Sequence, residues 1–168
     1  MPACVRVLGI DPGFGTVGYG VLEMRASKIE LVSYGAIRTE PDEPIPDRLL
    51  KIHDQLERLI QECSPDESAV EELFFFRNVT TAIQVSEARG VILLAMRRHE
   101  VPIFEYTPHQ VKLAVTGYGR AEKGQVQRTL KAFLRMKETP RPDDAADALA
   151  VAWCHLAARK FPGGVRKA

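Results

Sequence analysis

The apolar positions of this chain change their period several times, and each change marks an element. Val5, Val7 and the run Leu8, Gly9, Ile10 make a short apolar stretch ending at Asp11, which predicts a buried strand. Tyr19, Val21 and Glu23 alternate with Gly20 and Leu22, and residues 29–37 (IELVSYGAI) are β-branched and aromatic. Together these three stretches predict an antiparallel meander with short turns. A proline-rich loop follows at 39–47 (TEPDEPIPD). Leu49, Ile52, Leu56, Leu59, Ile60 and Cys63 then recur at steps of three and four, a helix stopped by Ser64 and Pro65. Residues 68–74 (SAVEELF) predict a strand carrying Glu71 and Glu72. Asn78 or Thr80 caps a long helix over Val79–Arg98, and 101–106 (VPIFEY) is a further strand. Two last helices, over 122–136 and 142–160, flank a loop around Pro140. The predicted order is βββ-α-β-α-β-α-α, in one domain over 1–160 with a frayed tail at 161–168.

Gly13 to Gly18 (GFGTVG) spells G-x-G-x-x-G, the glycine pattern of dinucleotide-binding loops. That reading requires a helix directly after the glycines, and here a hairpin lies there instead. No uninterrupted apolar run approaches a membrane span, and the N-terminus has no signal pattern. Cys4, Cys63 and Cys154 are widely spaced without a C-x-x-C, which predicts a reducing cytoplasm and neither a zinc ribbon nor a disulfide framework.

Net charge is only +1, but its distribution is lopsided. Residues 1–111 carry 11 Lys and Arg against 17 Asp and Glu, a balance of −6, while residues 112–168 carry 12 against 5, a balance of +7. A basic final third around one acidic knot, Asp143, Asp144 and Asp147, suits a polyanionic ligand; solvated surface charge explains it as well.

Carboxylates also stand at element ends elsewhere. Asp11 closes the first strand and Glu71 lies in the fourth, while Asp144 and Asp147 share a face of the last helix's first turn, with Asp143 pointing elsewhere. If the first and fourth strands are neighbours and the last helix packs across them, these acids converge. Clustered carboxylates call for a hard cation, and oxygen ligands select Mg²⁺ or Mn²⁺. Two such ions suit an in-line phosphoryl displacement. Each acid also has a plain structural reading: a helix cap for the aspartates, a surface glutamate, a turn former before Pro12.

LGIDPGFGTVGYGV, AVEELFFFRN, ARGV, FEYTPHQVK, GRAEKGQVQ and DDAADALAVAWCH, in this order and spacing, resemble the RuvC family of Holliday-junction resolvases over residues 5–155. The resemblance implies an α/β, RNase H-like fold: a mixed five-stranded sheet, the meander plus two further strands, with helices on both faces. It implies a structure-selective endonuclease that cuts four-way DNA junctions with two Mg²⁺ ions, for which Mn²⁺ substitutes. Asp11, Glu71, Asp144 and Asp147 match the family's four metal-binding catalytic acids, whereas Glu72 and Asp143 match none. Some relatives carry histidine where this chain has Asp144. Lys112 and Lys123 resemble phosphate-contacting residues. Of the aromatic run at 74–76, Phe74 is favoured to stack on an unpaired base, and Arg77 to meet phosphate. Paired incisions call for a two-fold homodimer, and Gly90 inside the Val79–Arg98 helix, which allows close helix approach, is where its contact is expected. The resemblance adds the RuvA and RuvB branch-migration complex as partner, with no membrane.

The histidines, His53, His99, His109 and His155, show no ligand spacing, and Leu149, Val151, Trp153 and Leu156 are expected in the core. Two other readings stay open on the residues. One is an RNase H-like nuclease acting on RNA or other branched DNA; the second is an actin-like nucleotide-binding relative, although such folds are longer and need a second domain.

Overall fold

The computed structural model describes residues 4–73 and 78–159. Phe74 and Arg77, the two neighbouring phenylalanines and the tail at 161–168 lie outside the described residues. Three strands open the chain, β1 Cys4–Asp11, β2 Thr16–Arg25 and β3 Lys28–Arg38; α1 Ile45–Cys63, β4 Glu67–Glu71, α2 Val79–Arg98 and β5 Ile103–Tyr106 follow. Three helices close it, α3 Pro108–Thr116, α4 Lys123–Phe133 and α5 Asp143–Arg159. The strands form one five-stranded sheet in the order β3-β2-β1-β4-β5. The meander is antiparallel, while β1 with β4 and β4 with β5 run parallel. The mixed sheet expected from the sequence is present.

Strand periodicity sends alternate residues to opposite faces. Val5, Val7, Leu22 and Ala69 meet α3, α4 and α5 on one side. Leu8, Ile10, Val17, Val21 and Val70 meet α1 and α2 on the other. α5 is buried on nearly every side, through Ala145, Ala146, Ala148, Leu149, Ala150, Val151, Ala152, Cys154, His155 and Leu156. Its alanines let it lie close on the sheet, and the sheet answers with glycines. A Cβ at Gly9 would overlap the Ala148 carbonyl oxygen, one at Gly18 that of Asp144, and one at Gly20 the Leu149 side chain. The glycine pattern therefore divides its work: Gly13 makes the tight turn, against the Thr16 carbonyl, and Gly18 makes room for α5.

The structure departs from the sequence reading at several borders. α3 is an additional helix, between the last strand and α4. Thr107 and Gln110 cap it reciprocally, a capping box written in the sequence as T-P-H-Q. α1 begins at Ile45, inside the stretch read as loop, because a proline at the first turn starts a helix as readily as it breaks one. β4 ends at Glu71 rather than continuing to 74. Asn78, not Thr80, caps α2, its side-chain oxygen accepting from the Thr81 amide at 3.3 Å. By length and mean hydropathy α2 is long enough and apolar enough to cross a membrane. A reading by uninterrupted runs passes it over, because Gln84, Glu87 and Arg89 break the apolar sequence.

Candidate active site

Two strands and one helix terminus build the site. Ile10 of β1 pairs with Val70 of β4, so the next residues, Asp11 and Glu71, end adjacent parallel strands. Both share parity with residues that face α5: Gly9 lies under it, and Ala69 packs in its cluster. Across the other edge of β1, Asp11 pairs with Gly18, and the Asp144 backbone rests directly over Gly18. The first turn of α5 is thereby seated above the two strand ends. The turn after Asp11 is pinned from behind. Phe14 is buried under the Arg48 guanidinium at 3.8 Å, and the Thr39 hydroxyl donates to the Phe14 carbonyl at 2.7 Å.

The electrostatics record how close the acids are. Burial first, then the charges of Glu71, Asp147 and Asp144, push the Asp11 carboxyl up to about 8 against an opposing pull from Lys123. Burial and then Asp147 push Glu71 up to about 7, with Lys123 and Lys112 opposing. Asp147 is also raised, by burial above all, against its hydrogen bond from Lys123. Asp11 thus lies within electrostatic reach of the other three predicted acids, and Glu71 within reach of Asp147. Lys112 and Lys123 line the same cleft of about 200 Å³, with Glu71, Val111, Val126 and Asp147. α3, the helix the sequence reading lacked, is what carries Lys112 there.

The donors are carboxylate oxygens in a partly desolvated cluster, where burial and mutual repulsion disfavour the charged forms of Asp11 and Glu71. A hard divalent cation suits that chemistry. Among the described residues no three His, Cys, Asp or Glu side chains already stand in a chelating arrangement. Instead the Lys123 ammonium donates to Asp147 Oδ2 at 2.8 Å and supplies cationic charge from within the chain. The cluster fits a metal ion in its donors and its charge; the side chains would have to gather around it.

One expectation changes. Asp143 does not point away from Asp147: Lys123 reaches both, at 3.6 and 2.8 Å. Residues four apart lie on one side of a helix, as residues three apart do. Three of the histidines, without ligand spacing in the sequence, make carboxylate contacts in the fold. His99 meets Glu57 at 2.7 Å, as His53 does at 3.5 Å. His155 is buried between the Tyr106 hydroxyl at 2.7 Å and Glu67 at 2.6 Å. The His53–Glu57 pair is an i,i+4 contact within α1, whereas the His99 and His155 contacts join distant segments that no local spacing reveals. Trp153 is only half-buried and stacks on Phe133 at 4.8 Å, beside a larger cleft of about 410 Å³ away from the acids.

Comparison with known proteins shows the family. The family model of RuvC, crossover junction endodeoxyribonuclease, matches residues 7–155. The RuvC of Petrotoga mobilis is 62% identical over 149 residues, covering 89% of this chain and 91% of that one. The RuvC of Thermotoga petrophila is 52% identical over 151 residues, covering 90% and 92%. Among solved structures, T. thermophilus RuvC in complex with a Holliday junction substrate superposes with a TM-score of 0.92 at 36% identity, covering 98% of this chain and 99% of that one. Similarity on this scale, over a fold that brings the predicted acids together, makes the chain a member of the RuvC family of crossover junction endodeoxyribonucleases.

Proposed function

We propose that this protein is a metal-dependent endonuclease that resolves four-way DNA junctions by paired symmetric nicks, in homologous recombination and DNA repair. One observation carries the reading: Asp11 and Glu71 end neighbouring parallel strands, and the charges of Asp144 and Asp147 on the helix seated above act on Asp11, that of Asp147 also on Glu71. The near full-length similarity to RuvC proteins, one of them solved on a Holliday junction substrate, supports the choice of DNA.

Asp11, Glu71, Asp144 and Asp147 would hold two Mg²⁺ ions, with Mn²⁺ able to replace them. Bound there, the ions would supply the positive charge that activates a water and stabilises the leaving oxygen in phosphodiester hydrolysis. The chain's own part is positioning. Strand ends buried against α5 hold Asp11 and Glu71 with little freedom, while Lys112 and Lys123 offer charge to a DNA phosphate at the cleft. Phe74 and Arg77 come three and six positions after the last residue of β4 in the sequence, and we assign them base stacking and phosphate contact near the cut.

One such site cuts one strand, so paired nicks require a two-fold dimer matched to the junction. α2 offers the surface: Val79, Ile83 and Leu94 are exposed on it, and open space lies over Gly90. RuvA and RuvB are the partners that the family membership suggests, and the cytoplasm is the setting. The test is incubation with a four-way junction, a linear duplex and an RNA–DNA hybrid, each with and without Mg²⁺. Mg²⁺-dependent nicking of the junction alone is expected. Preferred cutting of the hybrid would overturn the choice of substrate in favour of the RNA-directed reading.

A further inference from the structure

Asp143 has no place among the four acids, yet it is densely engaged at the mouth of the cleft. Its Oδ1 accepts from Gln127 Nε2 at 3.1 Å and from Arg141 Nη1 at 3.4 Å. Its Oδ2 stands 3.6 Å from the Lys123 ammonium, which donates to Asp147 Oδ2 at 2.8 Å. Asp143 and Asp147 are one helical turn apart on α5, so a single ammonium serves both. Lys123 is the first residue of α4, and the Gln127 contact one turn later ties that helix end to the same carboxylate.

A divalent cation that takes Asp147 Oδ2 competes with the ammonium for that oxygen, and like charges repel in a partly desolvated cleft. The ammonium would then leave Asp147 Oδ2. Solvent is one destination, and Asp143 is a nearer one that keeps the charge at the cleft mouth. We propose that Asp143 is a positioning residue: it receives the Lys123 ammonium when Asp147 takes up a cation, and holds it where a DNA phosphate enters. The inference rests on the resolvase reading for the phosphate and on the observed contacts for the handover. It gives a role to an aspartate that matches none of the family's catalytic acids.

The handover has two readouts. One is the Mn²⁺ concentration giving half-maximal thermal stabilisation of the DNA-free protein; the second is single-turnover nicking of a four-way junction at saturating Mn²⁺. Asp143→Asn is expected to raise the Mn²⁺ midpoint about threefold, the size of effect typical of a half-exposed ion pair. It should also slow nicking several-fold, with the melting temperature in EDTA unchanged, and Asp143→Glu should restore both. In a Lys123→Ala background, Asp143→Asn should alter neither. An equal midpoint shift in both backgrounds would mean that Asp143 acts only as a through-space charge, and would overturn the proposal. So would an Asp143→Asn protein with both readouts intact. If the unmodified chain binds Mn²⁺ but leaves junctions uncut, the resolvase reading fails, and the midpoints still decide the handover.

Discussion

Asp11 and Glu71 stand together because one register, Ile10 to Val70, places both at the ends of parallel strands and on the same face. Replacing Asp11 by Asn removes one charged ligand and lessens the repulsion felt by a phosphate backbone. Nicking should fall below about a tenth of the normal rate, a loss of at least ~1.4 kcal/mol in transition-state stabilisation, while junction binding stays within a few-fold. Single-turnover cleavage and a gel-shift titration measure the two, and retained nicking would remove Asp11 from the site. Glu71→Gln and Asp147→Asn should behave alike. Glu72→Gln is the contrast: this residue lies beyond the end of β4, and its amide bonds the Tyr106 carbonyl at 2.9 Å. Near-normal nicking is expected from it, and a dead variant would exchange the roles of the two glutamates.

At the level of elements, α5 on its bed of glycines is what converts an alternating sheet into a site. Gly18→Ala would drive a methyl into the Asp144 carbonyl, backbone against backbone, with no flexible side chain to yield. Overpacking of this kind costs ~1–3 kcal/mol, so the melting temperature should drop by several degrees. Nicking per folded molecule should fall as well, because the displaced helix end carries Asp144 and Asp147. An unchanged melting curve would mean that α5 shifts without penalty. The far end of the same helix is anchored by charge. His155 and Arg159 both bond Glu67 on β4. The His155 hydrogen bond chiefly, with Arg159 adding to it and burial opposing, holds the Glu67 carboxyl down at about 2. A folded-state value below the ordinary 4.5 stabilises the protein at pH above about 4.5, and this contribution is lost as pH falls toward about 2. The shift corresponds to stability on the order of 3 kcal/mol. Glu67→Gln should therefore be less stable at neutral pH and should lose less stability across that acid window, as chemical denaturation at several pH values will measure.

For the whole molecule, the exposed apolar residues of α2 are the feature that a single chain leaves unexplained. Ile83 and Leu94 sit on its outer surface, so Ile83→Glu with Leu94→Glu should leave the chain folded, since surface changes cost it little. Light scattering should then report a monomer, with junction cuts no longer paired across the two strands. A dimer that survives both charges would place the interface elsewhere. The open space over Gly90 belongs to the same surface, and its glycine in mid-helix suits close approach of a second helix.

The sequence by itself determined the elements and their chemistry. Periodicity marked the strands and most helices, because burial of one face repeats along a few residues, and the motifs around Asp11, Glu71, Asp144 and Asp147 marked the acids. The capping box at Thr107 was legible too, although proline and short length hid α3 from a periodicity reading. Only the tertiary structure decided which charges meet. Lys123 between Asp143 and Asp147, His155 between Tyr106 and Glu67, and Gly18 beneath Asp144 join residues far apart in the chain. Contacts of that kind arise from strand register and helix seating, which depend on the packing of the whole core rather than on local spacing.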